Sequence, residues 1–202
     1  IASYCEAFEV SRVREAAQTL LMAGSLFTPL SASEAYFHSS DLQGRITRLL
    51  KEKRWDLIIV YCSSVARYVE DVVDTPKLLD FCDMDSQKWL EYVKYKRSPV
   101  SWGYWLEGRK MLAAEKRIAR KFDLGTVATV AEQQTLDSYA TGLLSDWFPN
   151  GVDTDFFTPG DEVYDENTIS FIGRMDYYPN EECMVAFCAD VLPLIRAERP
   201  AI

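Results

Sequence analysis

The sequence is poor in the residues that build metal sites. It has five cysteines and one histidine in 202 residues. Because none of the cysteines forms a C-x-x-C pair, no zinc-finger spacing is present. Two of them, Cys183 and Cys188, lie five residues apart on a predicted helix and so point in different directions. We therefore expect reduced cysteines and no bound metal.

Long apolar runs and glycine-rich loops are also missing from the sequence. No apolar run approaches roughly 18 residues, the length that a membrane-spanning helix needs. No G-x-G-x-x-G segment, the fingerprint of dinucleotide-binding sheets, occurs in it. There is no internal repeat and no low-complexity segment. With 48% hydrophobic residues, the chain can bury one core and the start of a second.

The charge is acidic overall but unevenly distributed. The net charge of −9 argues against nucleic acid as a partner. Residues 86–121, here called the basic segment, carry ten lysines and arginines against three acidic residues, a local balance of +7. The rest of the chain therefore sums to −16.

The basic segment is also rich in aromatic residues. Aromatic and basic side chains together suit a membrane interface or a phosphate-bearing acceptor. The alternative is a helical face that is solvated on one side and whose aromatics belong to the core. The aromatics are Trp89, Tyr92, Tyr95, Trp102, Tyr104 and Trp105. On the first interpretation, the residues that contact the acceptor or the membrane are Lys88, Trp89, Arg109, Lys110 and Arg117.

Hydrophobic periodicity predicts a chain in which helices and strands alternate. Ser98-Pro99 breaks the basic segment into two helices, since proline and the residue before it resist helical geometry. Strands separated by helices imply a parallel sheet in a three-layer, Rossmann-like α/β fold. The predicted helices span 10–22, 41–53, 65–73, 86–97, 102–121, 131–143 and 180–197. The predicted strands span 56–61, 77–82, 125–130 and 168–172, with a further short strand running into Pro149.

Ligands of such sheets collect at the carboxyl ends of the strands, so the residues after each strand are the candidate site. Asp83 and Asp85 follow the second strand, where they can serve as a general base for an acceptor hydroxyl or hold a sugar or a cation. The alternative for Asp85 and Ser86 is helix capping. Ser63 follows the first strand and is either a phosphate contact or an N-cap.

Further candidates follow the later strands. Glu132 follows the third strand, and Asn150-Gly151 follows the last strand of the sheet, where Asn-Gly favours a turn with positive backbone dihedrals. We expect these residues, together with those after the first strand, to line a cleft or hinge. After the next predicted strand, Gly173 permits close approach of the backbone and Arg174 offers donors suited to a diphosphate.

Several segments taken together resemble one bacterial protein family. The segments that carry the resemblance are 79–89, 107–123, 149–153 and 171–180, with Tyr36-Phe37-His38-Ser39 nearer the front. Through them the chain is similar to the family 4 glycosyltransferases of the GT-B fold. Within that family it resembles the sugar transferases associated with the PEP-CTERM/exosortase system and linked with exopolysaccharide genes.

The resemblance implies two domains. Residues 1–158 would form a Rossmann-like, acceptor-side domain, and residues 159–202 a linker and the start of a domain that binds a nucleotide sugar. It also implies that a glycine-rich strand, loop and helix precede Ile1 and that a paired-glutamate loop follows Ile202. We therefore expect little or no transferase activity from this chain alone.

The resemblance also implies roles for individual residues. In the family, a Gly-Arg pair followed by a lysine grips the donor diphosphate. Here Gly173 and Arg174 match the pair, and Asn180 stands where many relatives have the lysine. Many relatives carry a catalytic histidine after the second strand, a place taken here by Asp83 or its neighbours. The only histidine of this chain, His38, lies elsewhere, and we expect it to pack or to cap a helix.

These expectations combine into one predicted activity. The full-length protein would transfer a sugar from a nucleotide sugar to a lipid-linked or polysaccharide acceptor in bacterial exopolysaccharide biosynthesis, without a metal. It would be cytoplasmic, with peripheral contact at the inner face of the plasma membrane. One alternative is a nucleotide-sugar-modifying Rossmann enzyme, against which the missing G-x-G-x-x-G argues. The other is a non-enzymatic membrane-docking or assembly module that uses the basic segment.

Overall fold

The computed structural model of the chain describes residues 4–13, 15–160 and 163–202. The chain forms two compact units, Ile1–Gly151 and Val152–Ile202. A compact unit is not by itself a domain, so the boundary predicted after residue 158 stays a prediction. Each unit is described separately.

The first unit is built on a four-stranded sheet. Its strands are all parallel and lie in chain order, so each strand pairs with the next one along the chain. The prediction of an α/β fold with a parallel sheet is therefore confirmed. The strands are β1 (Ile58–Tyr61), β2 (Lys77–Cys82), β3 (Leu124–Val127) and β4 (Leu144–Trp147).

Six α-helices accompany the sheet in the described part of the first unit. Four of them lie within a few residues of the predicted ranges, and the two helices of the basic segment are separated at Ser98-Pro99 as expected. The helix predicted over 10–22 begins only at Glu15, and residue 14 lies outside the described residues. The helices are α1 (Glu15–Gly24), α2 (Ala32–Tyr36), α3 (Ser40–Glu52), α4 (Asp85–Tyr95), α5 (Val100–Ala119) and α6 (Val130–Ser138).

The connection between β1 and β2 differs from the prediction. A helix was expected over 65–73, but the structure has a short 3-10 stretch, Ser63–Tyr68. A 3-10 helix is wound more tightly than an α-helix and usually occurs in short pieces. The β-branched valines of this connection also crowd the turns of an α-helix. The chain therefore crosses from one strand to the next without a full α-helix.

One face of the sheet, here called the covered face, is packed under helices. Val60, Leu79 and Phe81 lie on this face and are buried in one cluster with Ile118 of α5 and Leu136 of α6. Burying side chains of this size contributes about 1.5–3 kcal/mol each relative to leaving them in water. The covered face therefore holds the core of the first unit.

The opposite face, here called the open face, is much more exposed. Ile59 and Tyr61 of β1 are 66% and 69% exposed, and Leu144 of β4 is 71% exposed. Between them, the Thr126 hydroxyl donates a hydrogen bond to Asp80 Oδ1 at 3.1 Å. Side chains that alternate along one strand therefore meet very different surroundings. The described part of the unit has helices on one face of the sheet, so the predicted three-layer arrangement is wrong for these residues.

The second unit contains one nearly continuous helical segment. It runs as α7 (Tyr178–Ala186), a π-helical turn (Phe187–Val191) and α8 (Leu192–Glu198), close to the predicted helix at 180–197. The strand predicted over 168–172 is absent, and these residues have an irregular, exposed backbone. A strand needs a neighbour for its backbone hydrogen bonds, and the described part of this unit contains no other strand. The prediction of a strand there was wrong.

Candidate functional site

The carboxyl ends of the four strands form one continuous edge. Backbone hydrogen bonds link the strand exits: Cys62 N donates to Asp80 O at 2.8 Å, and Ala128 N donates to Cys82 O at 2.9 Å. Phe148 N donates to Val127 O at 3.1 Å. The residues predicted from separate strand ends therefore come together, and this carboxyl edge is the candidate site.

The two predicted catalytic carboxylates behave differently at this edge. Asp83 is exposed, its backbone N–H donates to Phe81 O at 2.8 Å, and within the described residues its carboxylate has no hydrogen bond or ion pair. Asp85 is the first residue of α4 and pairs with Lys88 at 3.3 Å. A carboxylate at a helix N-terminus is favoured by the helix dipole, which suits a structural role for Asp85. Asp83 is thus the carboxylate that remains free to meet a ligand.

Glu132 fixes the loop that carries Asp83. Its Oε1 accepts a hydrogen bond from the backbone N–H of the buried Met84 at 3.2 Å. Its Oε2 accepts from the Thr129 hydroxyl at 3.0 Å, while its own N–H donates to that hydroxyl at 3.2 Å. Thr129 thereby caps α6, and Glu132 ties the exit of β3 to the exit of β2.

A buried carboxylate anchors the same loop from below. Glu115 of α5 is fully buried and accepts hydrogen bonds from Ser86 N at 2.9 Å, Ser86 Oγ at 2.5 Å and the Tyr139 hydroxyl at 2.9 Å. Burial raises the pKa of Glu115, and the three donors oppose that shift only in part. The side chain therefore fixes the start of α4, two residues beyond the candidate base.

Sequence reasoning missed the role of Glu115. A signal for it was present, since Met111, Ala114 and Ile118 mark the buried stripe of α5 and Glu115 lies on that stripe. A charged residue on an apolar stripe indicates a buried partner. The partners themselves, Ser86 and Tyr139, lie 29 and 24 residues away along the chain and could not be named from the sequence.

Ser63 lies at the carboxyl edge but does not cap a helix. Cys62 occupies the N-cap position of the 3-10 stretch and makes no side-chain cap hydrogen bond. Ser63 is buried, and its hydroxyl has no hydrogen-bond partner among the described residues. The N-cap interpretation was therefore wrong, and the hydroxyl is closed off from solvent.

The predicted turn at Asn150-Gly151 is not formed. Both residues are exposed with irregular backbone, and neither has the positive φ that was expected. The turn lies further along the chain, where Asp153 Oδ1 accepts hydrogen bonds from the N–H groups of Asp155 and Phe156 at 3.1 and 3.0 Å. An aspartate side chain that bonds backbone two and three residues ahead supplies its own turn, so the Asn-Gly pair is not needed for it.

Most of the cationic residues predicted to contact an acceptor or a membrane are held by partners within the chain. Lys110 Nζ donates to Ser25 O at 2.6 Å, and Arg117 pairs with Glu34 at 2.6 Å and Glu70 at 3.2 Å. Lys88 pairs with Asp85, as described above. Burial opposes the charge of Arg117, but its two carboxylate partners win and raise its pKa. Among these predicted cations only Arg109 is exposed without a hydrogen bond or ion pair in the described residues.

The aromatics of the basic segment divide into two groups. Trp89 packs against Tyr92 and Tyr104, with ring centroids 5.9 and 5.5 Å apart, so it joins α4 to α5. A second group is exposed around the junction of the two helices and is here called the aromatic patch. It consists of Tyr95, Trp102 and Trp105, with the exposed Val100 beside them, and a shallow pocket lined by Val93, Ser101, Trp102 and Trp105 opens next to it. The first group is half-buried between the two helices rather than part of the core cluster, and for the exposed second group a membrane or acceptor interface stays a prediction.

His38, the only histidine, has a packing role. Its ring stacks on Tyr68 at 5.8 Å. Burial lowers its pKa, and the nearby charge of Arg67 lowers it further. A neutral, stacked imidazole fits the packing role expected from the sequence.

In the second unit, the three predicted donor-binding residues form one local arrangement. Asn180 Nδ2 donates to Arg174 O at 2.9 Å, and a Cβ added at Gly173 would lie 2.9 Å from that same Nδ2. A larger residue at Gly173 would therefore have to push the Asn180 amide aside. The Arg174 guanidinium is exposed and forms a bidentate pair with Asp176 at 3.1 and 2.6 Å. Asp176 therefore competes with any anionic ligand for the Nε and Nη2 donors of Arg174.

Within the described residues, no group of three or more histidine, cysteine or acidic side chains is arranged to hold a metal ion. In the same part of the chain, no helix is long and apolar enough to cross a membrane. Comparison with known proteins gives no identification, because no family model, curated protein or solved structure matches the chain.

Proposed function

We propose that the chain is the acceptor-side part of a GT-B glycosyltransferase that transfers a sugar from a nucleotide sugar to a lipid-linked or polysaccharide hydroxyl. The observation that supports this most is the position of Asp83. It is an exposed carboxylate without a partner in the described residues, and it follows an inner strand of a parallel sheet. Ligands of such sheets bind at this edge.

In this proposal Asp83 accepts the proton of the acceptor hydroxyl. The hydroxyl oxygen then bonds to the anomeric carbon of the donor sugar as the bond to the nucleotide diphosphate breaks. The loop must hold the carboxylate steady for this step, since misplacement of a base by about 1 Å costs roughly 100-fold in rate. The contacts of Glu132 with Met84 and of Glu115 with Ser86 provide that support.

Arg174 is the proposed contact for the donor diphosphate. Its guanidinium already forms a bidentate pair with a carboxylate, Asp176, which shows a side-chain geometry suited to an oxyanion. Replacing Arg174 by alanine in the full-length protein should raise the donor KM by about 10- to 100-fold, the loss of one or two charge-assisted hydrogen bonds. Arg196→Ala, an exposed arginine of α8, is the matched control and should leave the donor KM unchanged.

The experiment that tests the proposal is a screen of UDP- and GDP-sugars for hydrolysis and transfer. It should be run on the full-length protein that contains this sequence and on the 202-residue chain. Turnover by the full-length protein, with little or none by the chain alone, is the expected result. An absence of turnover with every donor and every lipid-linked or glycan acceptor would contradict the proposal and favour the membrane-docking alternative.

The aromatic patch supports that second candidate function, a docking module for a membrane surface. Trp102 is 77% exposed, and exposed tryptophans near basic residues such as Arg97 and Arg109 suit an interface with anionic lipid. Sedimentation with anionic and with neutral vesicles tests it. Trp102→Ala combined with Trp105→Ala should abolish binding to anionic vesicles, whereas Trp147→Ala, an exposed tryptophan of β4, should not. Equal binding by all variants would contradict a docking role.

A further inference from the structure

The structure places two thiols against each other at the carboxyl edge. Cys62 follows β1 and Cys82 ends β2, and their sulfur atoms lie 4.0 Å apart. Both are partly buried, whereas the other three cysteines, Cys5, Cys183 and Cys188, are exposed. The two cysteines come from neighbouring strands although they are 20 residues apart along the chain.

The backbone is unusual at both cysteines. Cys62 has a φ of 75° and Cys82 a φ of 62°, in the left-handed region that residues other than glycine rarely adopt. Among the described residues only one other non-glycine residue, Ala140, shares this feature. A residue in such a region costs about 1–3 kcal/mol, and residues of this kind cluster at functional sites.

One residue holds both cysteine backbones. Cys62 N donates to the Asp80 carbonyl at 2.8 Å, and Cys82 N donates to Asp80 Oδ1 at 3.1 Å. Cys82 Sγ lies 3.7 Å from the same carbonyl oxygen. The contact between the two sulfurs is therefore part of a hydrogen-bonded arrangement that fixes both strand ends.

The two cysteines lie on neighbouring strands, which run about 4.8 Å apart. They are offset by one residue, because Tyr61 pairs with Asp80. A disulfide spans roughly 4.4–6.8 Å between Cα atoms, a range that neighbouring strands can meet. The sulfurs must approach by about 2 Å to reach bonding distance. Rotation of two side chains at partly exposed strand ends can supply a movement of that size.

We propose that Cys62 and Cys82 are a dithiol that closes into an intramolecular disulfide, with a small-molecule disulfide of the glutathione type as oxidant. The thiolate of one cysteine attacks the small disulfide, forms a mixed disulfide and releases one small thiol. The second cysteine, as thiolate, attacks the mixed disulfide and releases the second small thiol. Two protein thiols are thus oxidised and one small disulfide is reduced, and the two protons that the cysteines lose are taken up by the two small thiolates, which leave as thiols. The step does not depend on the proposed transferase activity.

The surroundings of the thiols set the pace of this exchange. Burial raises the pKa of both, that of Cys82 to about 12, although the Tyr61 hydroxyl partly offsets the shift at Cys82. The nearby carboxylates also disfavour the thiolates: Asp80, Asp83 and Asp85 at Cys62, and Asp80 at Cys82. Since the thiolate is the nucleophile, closure is slow near neutral pH and faster as the pH rises. The second step is favoured because the partner sulfur is already in contact.

A disulfide between Cys62 and Cys82 would affect the candidate site at the carboxyl edge. A bond between the two sulfurs would join the exit of β1 to the residue that immediately precedes Asp83. It would also remove the Cys82 thiol as a hydrogen-bond partner of Tyr61. The oxidation state of the pair thus changes the freedom of the loop that carries the proposed base.

The test is to expose the folded chain to glutathione disulfide and to map its thiols by mass spectrometry. We expect a peptide in which Cys62 and Cys82 are linked to each other and carry no glutathione. The thiols of Cys62 and Cys82 should both be lost, and dithiothreitol should restore them fully. The rate should rise between pH 7 and pH 9, on the order of tenfold per pH unit while the attacking thiol is mostly protonated. Stable glutathione adducts on Cys62 or Cys82 of the wild-type chain would overturn the proposal. So would Cys62 and Cys82 thiols that stay unreacted after the exposed cysteines have been modified.

Matched variants separate the pair from the other cysteines. In Cys82→Ser the remaining Cys62 should keep a glutathione adduct, because its partner is missing. In a variant with serine at Cys5, Cys62 and Cys82, the exposed Cys183 and Cys188 should each carry an adduct instead of closing on one another. Closure between Cys183 and Cys188 at the same rate would mean that the contact seen at the strand ends has no special effect, and would contradict the inference. Mapping of the wild-type chain gives the answer even where a variant folds poorly.

Discussion

The two faces of the four-stranded sheet are made by the same strands but differ in what surrounds them. On the covered face, Leu79 and Phe81 are almost completely buried against α5 and α6. On the open face, Ile59, Tyr61 and Leu144 remain largely exposed. The stability of the first unit therefore depends on the covered face, while side chains of the open face and the carboxyl edge contribute little to it. Substitutions should therefore have effects that depend on the face rather than on the residue type.

The largest expected effect is on a leucine of the covered face. Leu79→Ala removes a fully buried side chain from an inner strand and should lower the free energy of unfolding by about 3–5 kcal/mol. Leu144→Ala, the same change at an exposed position of β4, should change it by about 0.5 kcal/mol or less. Urea denaturation of both variants measures the difference. Similar losses of unfolding free energy at the two positions would mean that the two faces contribute equally to stability.

Next in size is the buried carboxylate below the covered face. Glu115→Ala leaves the Ser86 N–H and the Tyr139 hydroxyl without their acceptor and should cost about 2–4 kcal/mol. Glu115→Gln keeps the shape and most of the hydrogen bonds and should cost clearly less. If denaturation shows the alanine variant to be as stable as the glutamine variant, the cluster does not anchor the start of α4.

The stability that Glu115 contributes should depend on pH. Burial raises the pKa of its carboxyl in the folded state above the ordinary value of 4.5, so the folded state binds more protons than the unfolded state just above that pH. The stabilising contribution is therefore fully present below pH 4.5 and is lost as the pH rises through the folded-state pKa. Stability curves from pH 4 to pH 8 should show this fall in the wild type and not in Glu115→Gln. The opposite slope would mean that the donors outweigh burial.

A smaller effect is expected at a glycine of the covered face. A Cβ at Gly125 would lie 2.6 Å from Leu143 and 3.2 Å from Phe81, so Gly125→Ala should cost about 1–3 kcal/mol by overpacking. Gly103 of α5 has open space around it, and alanine there should stabilise by about 0.5–1 kcal/mol through helix propensity. Thermal unfolding of the two variants should therefore shift in opposite directions. A higher unfolding temperature for Gly125→Ala would contradict the tight packing of the covered face.

The smallest effect is expected on the open face itself. Ile59→Thr replaces one exposed β-branched side chain by another and should change the free energy of unfolding by about 0.5 kcal/mol or less. Val60→Thr, one residue on, puts a hydroxyl into the core cluster and should cost more, about 1–3 kcal/mol. Chemical denaturation of the Ile59→Thr and Val60→Thr variants measures the two changes in unfolding free energy. An equal loss at Ile59 would mean that the open face is covered in solution.

The sequence predicted the elements whose signals are local. The strand at 77–82 was found with its exact ends because a run of apolar residues is enough to identify a buried strand. The break at Ser98-Pro99 was found because proline restricts its own backbone and that of the preceding residue. The position of Asp83 at the carboxyl edge followed from the alternation of strands and helices, since parallel strands share their ends.

What the sequence could not predict depends on partners far along the chain. The contact of Glu115 with Ser86 and that of Cys62 with Cys82 each join residues at least 20 positions apart, and no local pattern specifies them. The strand expected at 168–172 failed for the same reason, because a strand forms only where a neighbour accepts its hydrogen bonds. The turn led by Asp153 shows that one side-chain hydrogen bond can move a turn by a few residues.

Asp83 is the proposed base of a sugar transfer at the carboxyl edge. The most direct measurement compares turnover of the full-length protein with that of Asp83→Asn and of Asp74→Asn, an exposed aspartate on the loop that precedes β2 at the opposite edge. We predict that kcat falls about 100-fold or more in Asp83→Asn and is unchanged in Asp74→Asn. Equal turnover by the wild type and Asp83→Asn would contradict the claim.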